Sequence, residues 1–284
     1  MNKLTCVLCG STDLVKQDSN FICQSCGTQY TLAEAKKMIL GDSTPTQNVS
    51  NTNELENLYQ LARRAKETGN SEHAEKYYNQ IVEKDPTDWE ANFYSVYYQS
   101  MNCKIAGIEN AASNLENIER QILNLIKKIE DKTERDNALM EVTQSLVSMS
   151  KILFSSAKNH HLGIDVNIRN QYVQEYAKRG WAACRMLYVF GDTIELLFGK
   201  SYGKLISLCW ETAIKQHSSL IADVNDSNFY TKNKEFVDKY FTRNNSYNPS
   251  FVKPEIKEPS SAGPVLAVLG IFAFIIFIMC ICFI

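Results

Sequence analysis

Cys6-Val-Leu-Cys9-Gly10 and Cys23-Gln-Ser-Cys26-Gly27 are two C-x-x-C-G stretches with thirteen residues between Cys9 and Cys23. Each C-x-x-C turn presents two thiolates to one point. Two such turns build a four-sulfur tetrahedral site, the geometry that Zn²⁺ takes in structural sites. The glycine after each pair suits a knuckle whose backbone turns with positive φ and aims amides at sulfur. Phe21-Ile22 before the second pair and Gln29-Tyr30 after it are strand-forming residues, so the stretch from about Lys3 to Tyr30 reads as a small β ribbon. Such a module has too little apolar surface to fold alone, and metal binding supplies the missing free energy. All four ligands are cysteine, which leaves no position open for water, so one structural zinc is expected. The rival reading, a redox C-x-x-C, is disfavoured by two pairs at this spacing without a βαβ pattern.

Outward from the ribbon, Thr31-Leu-Ala-Glu34 is a capping box that opens a short helix through Leu40, closed by Gly41. Residues 1–41 therefore form the first domain, and 42–52, rich in Ser, Thr, Asn and Gln, a linker. A helical domain is expected over 53–221. Within it Leu58, Leu61, Ala62, Ala65, Ala74, Tyr78 and Pro86 sit at the offsets of a tetratricopeptide-like unit spanning 55–88. One such unit cannot bury its own faces, so following helices must cap it. Thr87-Asp88-Trp89-Glu90 starts the next helix, whose Trp89, Phe93, Tyr94 and Tyr97 read as core or as a candidate groove for a partner peptide. Apolar residues at three- and four-residue steps then predict a long helical hairpin over 105–158.

Further helices are expected over 166–220, the first capped by Asp165 and a short one punctuated by Gly191-Asp192 and Gly199. Residues 222–263 read as a polar tether with one helix near Phe229–Phe241. Val265 to Ile284 is twenty residues without a charge. At 1.5 Å per residue this is about 30 Å, enough for one transmembrane helix. Lys253 and Lys257 upstream agree with a soluble part on the cytoplasmic side. The expected fold is thus mainly α: a small N-terminal zinc ribbon, an all-helical and partly tetratricopeptide-like body, and one C-terminal transmembrane helix that makes the protein tail-anchored.

A net charge of −2 provides no long-range field for nucleic acid or for an acidic substrate. Of nine cysteines, four lie in the paired motif, two in the apolar tail, and Cys103, Cys184 and Cys209 stand alone. That scatter fits free thiols in a reducing compartment, and nothing at the N-terminus resembles a signal peptide. Gly199-Lys200-Ser201 lacks the earlier glycine of a phosphate loop. His160-His161 with Asp165 reads as a polar turn, and no nucleophile-base set can be assembled, so no enzyme activity is expected.

At Cys6-Val-Leu-Cys9-Gly10 with Phe21-Ile-Cys23-Gln-Ser-Cys26-Gly27 the chain resembles the transcription factor IIB-type zinc ribbon. Its layout is similar to bacterial zinc-ribbon-containing membrane proteins with this head, a helical body and a C-terminal span. The resemblance implies a metal site and no catalytic residues. Together these features predict a membrane-tethered adaptor that binds a protein partner through its helical body, with the lipid bilayer engaged through 265–284. The alternative is a membrane-tethered nucleic-acid-binding ribbon, which the near-neutral head disfavours because phosphate contacts need clustered Lys or Arg.

Overall fold

Leu14–Gln17 (β1), Asn20–Cys23 (β2) and Gln29–Thr31 (β3) form an antiparallel sheet in the order β1-β2-β3. They belong to a computed structural model that describes residues 4–7, 9–17, 20–31, 34–35 and 49–259. Leu14 pairs with Cys23 and Phe21 with Tyr30, which carries the second cysteine pair off the end of one hairpin. The capping box forms: Thr31 N–H donates to Glu34 Oε2 at 2.7 Å, and Glu34 N–H to Thr31 Oγ1 at 3.3 Å. Ala35 is buried; residues 36–40 of the expected short helix lie outside the described residues.

Three helices follow: Val49–Glu67 (α1), Ser71–Lys84 (α2) and Trp89–Met101 (α3). The α1–α2 turn is made by Gly69 at φ 69° and by Asn70, whose side chain caps α2 by accepting from His73 N–H at 3.1 Å. Leu58, Leu61, Ala62 and Ala65 of α1 and Ala74, Tyr77, Tyr78 and Ile81 of α2 are buried. α3 packs on α2, and its N-cap is Asp88, which accepts from Ala91 N–H at 2.6 Å. The chain divides into compact units between Asn102 and Cys103. The sequence-based division instead fell at 42–52 and left 53–221 as one domain. The repeat-like helices share a unit with the ribbon because α3 closes on α2 and α1 reaches back to the second knuckle.

The second unit holds Ile108–Lys127 (α4), Lys132–Gly163 (α5), Val173–Phe198 (α6), Gly203–Val224 (α7) and Ser227–Asn244 (α8). Asp131 caps α5, accepting from Glu134 N–H at 2.7 Å. α6 is the central element, packed by α4, α5 and α7, and α8 packs on α7. Asp165 does not cap α6. It organises a turn, accepting from Asn167 N–H at 2.8 Å, and a 3₁₀ turn Arg169–Tyr172 leads into the helix. Gly191-Asp192 does not punctuate either, since α6 runs straight through to Phe198. Gly191 is a packing residue: a Cβ there would lie 2.7 Å from Trp210 Cδ1, so only a glycine lets α7's fully buried indole approach.

The segment expected as a tether over 222–263 is built into this unit through residue 259. α8 buries Phe229, Val237 and Tyr240, and beyond it Phe251 is buried as well. Among the described residues no helix is long and apolar enough to cross a membrane. The expected transmembrane stretch, 265–284, lies outside the described residues.

Candidate metal centre

The two knuckles fold alike. Cys6 N–H donates to Ser11 O at 2.7 Å and Gly10 N–H to Cys6 O at 2.9 Å; Cys23 N–H donates to Thr28 O at 2.8 Å and Gly27 N–H to Cys23 O at 2.7 Å. Gly10 and Gly27 stand at φ 73° and 74°, the left-handed region that a side chain would strain. Ser25 Oγ donates to Ser11 Oγ at 2.8 Å and ties one knuckle to the other.

This symmetry gathers the four sulfurs of Cys6, Cys9, Cys23 and Cys26 within 4.8 Å of one another. Cys6 and Cys26 Sγ are 3.6 Å apart, and Cys9 and Cys23 Sγ 3.5 Å. A tetrahedron with metal–sulfur bonds of about 2.3 Å has edges of about 3.8 Å, so the set fits a four-thiolate cation. Cys6 and Cys23 are buried, while Cys9 and Cys26 are half-buried. Burial pushes the Cys9 thiol up to about 12 and raises Cys26; a bound cation reverses that preference by holding thiolates.

Two further side chains contact the sulfurs, and a third lies in their field. The Tyr30 hydroxyl lies 3.0 Å from Cys6 Sγ and accepts from Val7 N–H at 3.2 Å, leaving its proton for a thiolate. Thr28 Oγ1 lies 3.0 Å from Cys26 Sγ. Sequence reasoning placed Tyr30 only as a strand residue, although an aromatic hydroxyl four residues after a C-x-x-C was the available signal. The third, Tyr77 on α2, has no local signal: burial raises its phenol to about 12, with the cysteines' charges adding to the effect.

Arg64 on α1 lies against the second knuckle, where a Cβ on Gly27 would be 2.9 Å from its Nη1. With a divalent cation bound, four thiolates would carry about two negative charges, which this guanidinium would complement. Between the knuckle and the α1–α2 hairpin lies an open cleft of about 310 Å³, lined by Gln24 and Ser25 on one side and Arg64, His73 and Tyr77 on the other.

The aromatic run read as core or as a candidate groove is packed. Phe93, Tyr94 and Tyr97 are buried, and Trp89 is partly so. Tyr94 stacks on Tyr78 with centroids 5.2 Å apart and meets Phe93 edge-on at 4.9 Å. Glu90, also buried, accepts from the Tyr78 hydroxyl at 2.8 Å and from Arg63 Nη2 at 2.6 Å, closing the α1–α2–α3 layer. His161 is buried in the second unit, its ring parallel to Tyr176 at 4.5 Å, while Asp165 caps its own turn. No protein-family model, curated protein or solved structure matches the chain.

Proposed function

We propose that this protein is a non-enzymatic, membrane-tethered scaffold whose head is folded by one structural zinc ion. The observation that carries the metal assignment is the set of four sulfurs within 4.8 Å on two matching knuckles. Cysteine-only ligation favours zinc over harder cations and leaves no open coordination position for chemistry. The zinc-ribbon resemblance at the same residues supports the assignment.

The scaffold reading rests on the helical repeat and on the composition of Val265–Ile284, which suits a single membrane crossing with the remaining chain on the cytoplasmic side. The partner is a protein, and its place is the cleft beside Arg64 and His73, because the aromatic run on α3 is spent on packing. The purified full chain should carry one zinc per molecule, and Cys23→Ser should abolish it; a metal-free folded head would overturn the metal reading. A photo-crosslinker at His73 should trap one recurrent protein in native membranes. Trapping none, or trapping nucleic acid, would overturn the scaffold reading.

A further inference from the structure

After α8 the chain takes a fixed path over the second unit. The Tyr247 hydroxyl donates to Glu195 near the end of α6, and Asn248 Nδ2 donates to Glu211 near the start of α7 at 2.7 Å. Phe251 is then buried, its ring 6.1 Å from Phe241, with Lys215 Nζ 5.3 Å from its centroid. Lys253 pairs with Asp238, and Glu258 adds to the field at Lys234. Partners on α8 thus step back from 241 to 238 to 234 while those on α7 advance from 211 to 215. The segment runs toward the end of the unit where α8 begins, α7 and α5 finish and α6 starts. Lys158–Asp223 at 2.9 Å and Tyr176–Asp223 at 2.7 Å tie three of those termini together.

The same end carries an apolar loop. Leu162, Val166, Ile168 and Tyr172 are exposed, Val166 at 72%. The loop is braced from within: Arg169 Nη2 donates to Leu162 O at 2.7 Å and to Ile164 O at 2.9 Å, and Asp165 holds Asn167. Its charges are therefore engaged internally while its large apolar side chains face outward, the pattern of an interaction surface.

Val265, the first residue of the apolar stretch, is only six residues on from Pro259. Six extended residues span at most about 20 Å. From the level of Lys234 to the start of α8 is about 10 Å at 1.5 Å per residue. The extended length covers that remaining distance, and the segment already runs toward this end, so a membrane entered at Val265 is placed here by the direction of the segment. We propose that the 162–172 loop rests on that bilayer, with Leu162, Val166, Ile168 and Tyr172 sunk into its interfacial layer. This rests on the membrane reading above and deepens it: the second unit is held against lipid by this end and does not swing on a long tether. Tyr172 suits the headgroup level, and apolar anchors without a free basic cluster need no acidic lipid.

The test uses the full chain in phosphatidylcholine liposomes with brominated acyl chains, which quench tryptophan on contact. Val166→Trp is compared with Leu196→Trp, equally exposed at 72% but near the opposite end of α6. Both keep Trp89, Trp181 and Trp210 as common background. The tryptophan introduced by Val166→Trp should shift to shorter wavelength and lose most of its emission; that introduced by Leu196→Trp should do neither. A chain that floats with the liposomes and resists alkaline extraction, but shows no quenching at Val166→Trp or equal quenching at both, overturns the loop contact and leaves the membrane reading standing. Burial of the loop in native membranes but not in pure lipid assigns it to a protein partner and overturns the proposal. A chain that fails to float defeats both.

Discussion

The ribbon and the five-helix unit solve the same problem by different means. The ribbon's interior is Cys6, Cys23 and Tyr30, with Cys9, Leu14, Phe21 and Cys26 packed around them. That is too little apolar surface to offset the entropy of ordering the knuckles, and on the zinc reading the cation provides the rest. The second unit instead encloses Trp210, Tyr176, Tyr188 and Phe190, each almost wholly shielded from water. Its helices are joined by side chains that meet across the core, such as Trp181 against Phe236 at 5.2 Å and Tyr188 against Tyr240 at 4.3 Å. On that reading the ribbon's fold is conditional on a ligand, whereas the helical unit's is carried by buried area.

Removing the metal is the strongest way to separate them. A strong chelator, or Cys6→Ser, should unfold residues 4–31 while amide exchange in 103–259 stays unchanged. Structural zinc contributes about 10–16 kcal/mol to small domains, so the loss should be complete. Cooperative loss of both units would break the comparison.

The converse perturbation is Trp210→Ala, which opens a cavity between α6, α7 and the segment after α8. It should cost about 3–5 kcal/mol, read as a lower melting temperature with bound zinc unchanged. A smaller effect would mean that Tyr240 and Tyr247, both edge-on to this indole, close the gap.

Acid should also strike the helical unit through His217. It is fully buried, with Nε2 2.8 Å from Asn233 Oδ1, and faces Trp181, Tyr188 and Phe236. Burial lowers it from 6.5 to about 4, the Asn233 hydrogen bond opposing. Between those values the unfolded chain takes up a proton that the native chain refuses. Stability therefore falls as pH drops, by about 3 kcal/mol in full. His217→Asn should flatten that slope in a denaturant series run from pH 7 to 4.

Glu119 carries the opposite sign. Burial holds its carboxyl well above the usual range, Glu116 adding and Arg185 opposing, and neither oxygen has a hydrogen-bond partner. Its native state is favoured at low pH and loses ground as the unfolded carboxyl ionises. Glu119→Gln should stabilise the unit increasingly as pH rises from 4 to 8. The smallest expected effect is Asp88→Ala, which removes the α3 cap for about 1 kcal/mol, seen as a modest drop in the melting of the first unit only.

The four-cysteine cluster was legible because knuckle geometry is local: two cysteines and a glycine within five residues specify it wherever the chain goes next. The capping box at Thr31 and the helices α1 and α2 were legible for the same reason, since caps and apolar periods act over one or two turns. Asp165 and Gly191 misled because their roles depend on distant partners. Asp165 holds a turn braced by Arg169, and Gly191 makes room for an indole that arrives nineteen residues later in the chain. The aromatic run on α3 has one sequence signature whether it lines a groove or a core. Its fate was set by Tyr78, which lies on another helix.

The sequence by itself determined the four-cysteine centre, the helical character of the body and the apolar stretch at 265–284. Each is a short-range pattern whose chemistry follows from spacing alone. Only the tertiary structure decided that helices α1–α3 belong with the ribbon, that residues 245–259 strap back along α7 and α8, and that the apolar 162–172 loop shares an end with the outgoing chain. Those facts depend on which surfaces meet, and packing between elements far apart in sequence leaves no period or motif to read.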